Sequence, residues 1–190
     1  MTDTFILSNF DTHIFLGDIP TDKKAPANSG TEIENIINYQ PGEINKDTKT
    51  YRTLTNDGWE SIAVLGQAIG DITISCIRPA DGQYTGSADT GTTNYEVLRK
   101  WFDGSLGASS GSAAKRIIVV IPRESSGRVY EGMQYNVIPK TFSDGDKDPD
   151  LGQEFSVTLA AFGAPIPCSV TKTPSQTPGG DPTWSFGTPS

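Results

Sequence analysis

"EGMQYNVIPKTFSDGDKDPDLGQEFSVTLAAFGAPI", residues Glu131–Ile166, contains two alternating runs joined by a segment crowded with aspartate and glycine. In the first run Met133, Tyr135 and Val137 fall on one side of an extended chain, and Gln134 and Asn136 on the other. In the second, Phe155, Val157 and Leu159 oppose Glu154, Ser156 and Thr158. Successive side chains of a strand point to opposite faces, so each run reads as a strand with one apolar and one polar side.

The joining segment admits two readings. Asp144, Asp146, Asp148 and Asp150 have the spacing of the first ligands of a calcium loop, but Pro149 stands where that loop turns on glycine and Phe155 where it needs a bidentate carboxylate. A loop rich in Gly, Asp and Pro between two alternating strands is instead the loop of a β-hairpin. Charge at such a tip discourages edge-to-edge association. A merely solvated run of charge remains open beside any contact role.

Working outward, the 190-residue chain is long enough for one domain with a real core, which we place at residues 1–170. Abundant Gly, Pro, Ser, Thr and Asn favour a mainly β fold of short strands joined by turns. A net charge of −8 with no dense Lys/Arg stripe argues against tight nucleic-acid binding. No run has the length of a membrane span, and "MTDTFILSNFD" lacks the basic start and apolar middle of a secretory signal, so a soluble protein made in a cytoplasm is expected. Cys76 and Cys168 lie far apart and read as small buried hydrophobes.

"TFILSNFDTHIFLGDIP" suits one or two short strands, and "GDIPTDKKAPANSG" is a loop longer than a compact domain needs. The segment from Thr31 to Gly58 is ambiguous between strand and short helix. "GWESIAVLGQAIGDITISCIRP" predicts two strands punctuated by glycines, with Ile72, Ile74 and Cys76 inward. "TTNYEVLRKWFDG" predicts a helix: Thr93 and Glu96 have capping-box spacing, Val97, Leu98, Trp101 and Phe102 form one face, and Gly104 is placed for a left-handed C-cap. "KRIIVVIPRE" reads as a strand buried on both sides. From Thr171 to Ser190 periodicity stops, which predicts an extended Pro/Gly-rich C-terminal arm in which Trp184 and Phe186 are either anchors onto a neighbouring subunit or incidental aromatics of a disordered terminus.

The motifs of chemistry are weak. Gly104, Gly107 and Gly111 follow the helix rather than precede it, so they cannot place a phosphate at its positive end. The single His13 has no nucleophile at a recognisable spacing, and no acid pair stands out for general acid–base work. An enzyme is not expected, and we assign no catalytic residue, metal ligand or cofactor.

The order of these elements, the "GWESIAVLGQAIGDITISCIRP" segment, and the terminal strand "EFSVTLAAF" followed by Gly163 and Pro165 resemble the tail tube proteins of tailed bacteriophages and their relatives in injection machines. The resemblance spans residues 5 to 170 as an arrangement and rests on no rigid signature. It implies a β-sandwich or half-barrel subunit with a flanking helix, whose strands join those of its copies in a hexameric ring-shaped β-barrel. Stacked rings would form a hollow tube in a virion tail, assembled in the host cytoplasm. Its partners would be further copies of itself, a tape measure protein in the lumen, other tail proteins including a sheath in a contractile tail, and double-stranded DNA passing without specific binding; no membrane is implied. Gln134, Asn136, Ser156 and Thr158 would face the lumen. Asp18 and Lys23 in the first long loop, the Asn38–Thr50 region, Asp144 and Asp148 at the hairpin, and Trp184 and Phe186 in the arm would contact neighbouring subunits. The competing class is a small β-sandwich binding module that recognises carbohydrate or protein through its loops.

Overall fold

Lys115–Pro122 (β7) carries Ile117, Ile118, Val119 and Val120 in succession, all buried, because both faces of this strand are covered. The other elements are β1 (His13–Gly17), β2 (Thr31–Ile33), β3 (Ile36–Gln40), β4 (Ile44–Arg52), β5 (Glu60–Ile69), β6 (Ile72–Arg78), α1 (Asn94–Ser105), β8 (Tyr130–Asp148), β9 (Gly152–Thr173) and β10 (Thr183–Gly187). The computed structural model describes residues 12–52, 60–78, 94–105, 113–122, 130–148, 152–177 and 180–189.

One sheet runs β2-β1-β7-β8-β9-β6-β3, with β10 paired to β9. It curls into a half-barrel, and β4 and β5 form a separate two-stranded ribbon. The β8–β9 hairpin is the spine: its Tyr130–Val137 half pairs with β7, whereas the other half of β9, Gln153–Leu159, pairs with β6.

The inner face gathers Ile14, Leu16, Ile72, Ile74, Cys76, Ile117, Val119, Val137, Phe155, Val157 and Leu159 under Leu98 and Trp101 of α1. Trp101 Nε1 donates to Ala113 O at 2.8 Å, so the one polar atom of that ring is satisfied inside the core. Stacked on it, Phe142 lies nearly parallel to Phe155 with centroids 5.7 Å apart, and Tyr95 meets Phe155 edge-on at 5.1 Å. The opposite face carries a second, smaller core: Phe15, Ile118, Val120 and Cys168 from the sheet, Ala27 from the loop after β1, and Phe186 from β10.

Several expectations change. The ambiguous segment contains β2, β3 and the ribbon strand β4, because tertiary pairing overrides its mixed local preference. The helix runs on through Gly104 to Ser105, so Gly104 is helical rather than a left-handed cap; Thr93 lies outside the described residues. The aspartate segment is mostly strand. β8 continues to Asp148 and β9 starts at Gly152, with register shifts at Asp144/Lys147 absorbing the extra residues, so the tip is shorter than composition indicated. Asp150 lies outside the described residues. Gly163 and Pro165 do not end the last strand: Gly163 takes φ 75° within β9, in the stretch where the ladder to β8 slips between Gln134 and Asn136, and the strand runs on to Thr173. The arm also forms structure, since Thr183–Gly187 folds back antiparallel on Ser169–Thr173.

Candidate functional site

On the outer side of the distal half of the sheet, register places like residues opposite one another across four strands. Thr141 faces Thr158, Thr158 faces Thr73, and Thr73 faces Gln40; one step along, Ser143, Ser156, Ser75 and Asn38 form a second row. Side chains directly opposite in a ladder share a face, so these eight form a continuous patch of hydroxyls and amides without a fixed charge. Thr73 and Thr158 bring their hydroxyl oxygens to 3.4 Å. None of the eight is buried. At one margin Lys140 and Asp71 form an ion pair, and at the other Glu154 is exposed. The same strands turn Phe142, Val157, Ile74 and Tyr39 to the core in the intervening row. Burial of the Tyr39 hydroxyl raises its pKa, and the Cys76 thiol in the same core is pushed up to about 12 by the same cause.

Both outer edges of this four-stranded part are open among the described residues. β3 pairs only with β6, and the pairing of β8 with β7 stops at Val137, so Ile138–Asp148 hydrogen-bonds to β9 alone.

The proposed lumen residues separate into two pairs. Ser156 and Thr158 lie in the hydroxyl rows, partly exposed. Gln134 and Asn136 do not face water: Gln134 is 0% and Asn136 7% exposed. They share the outer face with Arg116, but there the loop after β1 lies over them, and this part of the expectation is corrected. Gln134 accepts from Ala27 N–H at 2.7 Å and donates to Ala27 O at 3.0 Å. Alternation correctly separated these residues from the core face, but a single strand carries no information about what covers its other side. Arg116 was missed for the same reason. A guanidinium within a β-branched run, on the same side as Ile118 and beside strand positions offering amides, is the signal that would have found it.

Of the residues expected between subunits, Asp18 is exposed and pairs with Lys115 Nζ at 3.0 Å. Lys23 has an exposed side chain and a carbonyl held by Arg116 Nη2 at 2.7 Å. Asp144 lies 3.5 Å from Arg99 Nη1 on α1. It also accepts from the Tyr95 hydroxyl, whose pKa is raised by desolvation first and by this carboxylate second. Asp148 ends β8. Phe186 is corrected, being 5% exposed against Phe15 at 5.1 Å within its own sheet, whereas Trp184 is partly exposed and lies against His13 at 4.7 Å and Tyr130 at 5.0 Å. Lys172 Nζ sits 4.8 Å over the Trp184 ring, and His13 Nδ1 is 2.6 Å from Glu32. No cluster of three His, Cys, Asp or Glu residues suited to a metal occurs among the described residues. Cys76 and Cys168 are free and buried.

No protein-family model matches the sequence, and no curated protein matches it. Solved structures do share the fold. A chain of the tube-terminating cap of an anti-feeding prophage matches with a TM-score of 0.58 at 15% identity, over 89% of this chain and 95% of that one. A sheath/tube terminator of an extracellular contractile injection system, in its extended state, matches with a TM-score of 0.57 at 14% identity, over 87% and 99%. A chain of the sheath–tube complex of that system gives 0.55 at 16% identity, over 88% and 94%. At these identities the likeness is one of fold.

Proposed function

We propose that this chain, which has the fold found in tubes and tube terminators of injection machines, is a structural tail protein that closes into hexameric rings and stacks them into a hollow tube. The observation that carries the reading is the double row of Thr, Ser, Asn and Gln across β8, β9, β6 and β3, backed by an apolar core face and flanked by two edges that are unpaired among the described residues. An unpaired strand edge is a template for another strand. Two different edges on opposite sides of one sheet suit a head-to-tail contact, which closes into a ring when the rotation allows. Joining the β3 edge of one copy to the β8 edge of the next would bring Ser156 and Thr158, with their rows, around a common bore.

The two rows hydrogen-bond water and carry no charge of their own for a phosphate, while the net charge of −8 disfavours a polyanion that lingers. The bore therefore suits double-stranded DNA in transit, with a tape measure protein occupying it beforehand, and the outside suits other tail proteins, including a sheath. The site of action would be the virion tail. A second role in the same architecture, a ring that ends a tube, is supported by the terminators among the matched folds.

Electron microscopy of the purified protein tests both. Long tubes are expected for a repeating subunit, and rings that stop after one or two layers for a terminator. A persistent monomer that binds glycans would overturn both and leave the binding module.

A further inference from the structure

We propose that Arg116, with Gln134 and Asn136, is a positioning device that holds the loop Asp18–Gly30 in one shape for contact with a second copy of this chain; the inference rests on the tube-subunit reading above. Arg116 is 0% exposed. Its Nε and Nη2 donate to Asn136 Oδ1 at 3.0 and 2.8 Å, Nη2 donates to Lys23 O at 2.7 Å, and Nη1 donates to Ala25 O and, at 3.4 Å, to Gln134 Oε1. Gln134 holds both backbone groups of Ala27. Three alternate loop residues are thus tied to two sheet strands. The loop is tied to the arm as well, through Phe186 N–H donating to Asn28 O at 3.3 Å.

Stability alone does not account for this arrangement. Every direct acceptor of the guanidinium is neutral, and its pKa is lowered by burial, with Asp22 acting the other way. A buried charge of this kind is often replaceable by apolar residues of similar volume at no loss of stability. Nor does the connection need it: β1 and β2 are adjacent antiparallel strands that a few residues can join, whereas the chain between Gly17 and Thr31 is far longer. What the network does, and an apolar trio cannot, is fix the backbone at Lys23, Ala25 and Ala27.

The part of the loop so fixed is the exposed crest Thr21–Lys24, itself closed by Ala25 N–H to Asp22 O and Lys24 N–H to Asp22 Oδ1, both at 3.0 Å. Beside it, Ile19 and Pro20 face Ile138 and Phe162 across a cavity of about 770 Å³. Phe162 is 39% exposed there. This recess adjoins Ile138, where the unpaired edge of β8 begins, so it is continuous with the proposed ring contact. A second copy is the fitting occupant: the crest puts Asp22 beside Lys23 and Lys24, a mixed-charge surface that suits an acidic protein of mixed charge rather than a polyanion. Ordering the loop beforehand removes an entropic cost from that contact.

The test is the triple variant Arg116→Met, Gln134→Met, Asn136→Leu, which removes the polar groups and keeps their volume. Hydrogen exchange is read in the unassembled protein, and the critical concentration for assembly by light scattering and electron microscopy. Exchange at the Ala27 amide should rise about tenfold, the loss of roughly one buried hydrogen bond, with the amides of β7–β9 unchanged. The critical concentration should rise by a similar factor. Arg116→Lys should give the same pattern, because one ammonium cannot span four acceptors in that planar arrangement. Should the triple variant not fold, Gln134→Met alone, with Arg116 still held by Asn136, reads the same amide. Unchanged exchange overturns the positioning role, and faster exchange with unchanged assembly overturns its link to contact between copies. A wild-type protein that never assembles sinks the tube reading, while the exchange measurement still decides whether the loop is held.

Discussion

Thr73 and Thr158 stand opposite each other on β6 and β9 with their hydroxyl oxygens 3.4 Å apart, both partly exposed, at the centre of a patch that is polar and uncharged. A hydroxyl pair in such a place stabilises the sheet modestly, by about 0.2–1 kcal/mol. Its larger consequence is what it leaves out: none of the eight side chains in the two rows carries a charge that could hold a phosphate, and Lys140 at the margin is paired with Asp71.

If the proposed tube forms, Thr158→Lys with Ser156→Lys should leave the fold standing and change what the proposed bore retains. The expected loss of stability is about 1 kcal/mol or less, because both positions are partly exposed. Assembled variant tubes should retain double-stranded DNA at low salt and release it as salt rises, whereas wild-type tubes retain none. Retention by neither would mean that these rows do not line the bore.

Gly132 lies directly beneath Cys168. A Cβ there would run into the Cys168 sulfur and Val170. Gly132→Ala should cost about 1–3 kcal/mol by overpacking. Adding Cys168→Ala removes the nearer obstacle, so the double variant should recover part of that loss in thermal melts. Independent, additive effects would show that this contact does not set the spacing between β8 and β9.

Phe186 fastens the arm through an edge-on contact with Phe15 and the small apolar cluster of Ala27, Ile118, Val120 and Cys168. Phe186→Ala should release β10 before the rest of the sheet unfolds, at a local cost of about 3 kcal/mol. Limited proteolysis should then cut between Thr173 and Thr183, with little change in the main melting transition. A variant whose arm stays protected would show that pairing with β9 suffices.

Cys76 connects stability to alkaline pH. Its thiol is pushed from 9.0 to about 12 by burial, so the folded state keeps a proton that the unfolded chain loses first. That contribution is complete below about pH 8.5 and is lost as pH rises toward the folded value. Tyr39, raised by burial from 10.0, acts in the same direction at higher pH. Denaturant melts between pH 8 and 11 should show stability falling with pH, and Cys76→Ala should flatten the first part of that slope. An equal slope in the variant would show that the thiol titrates freely.

The local elements were legible where one periodicity dominated. Met133 to Val137 and Phe155 to Leu159 alternate cleanly, and Tyr95 to Phe102 repeats as a helix, so strand, helix and core face could be read directly. Thr31 to Arg52 could not be read, because short edge strands and a ribbon carry mixed composition and take their form from the strands they pair with. The site was half legible for a related reason: Ser156 and Gln134 have the same standing in their own strands, yet one is partly exposed and the other sealed under Ala27.

Alternation by itself determined which side of each long strand is apolar, since that follows from backbone geometry within a few residues. Only the tertiary structure decided which polar side stays open and which is covered. Arg116 meets the carbonyls of Lys23 and Ala25 across more than ninety positions of chain, and the rows of Thr and Ser form only when β3, β6, β9 and β8 fall into register. Contacts of that kind depend on how distant segments close upon one another, which no local pattern encodes.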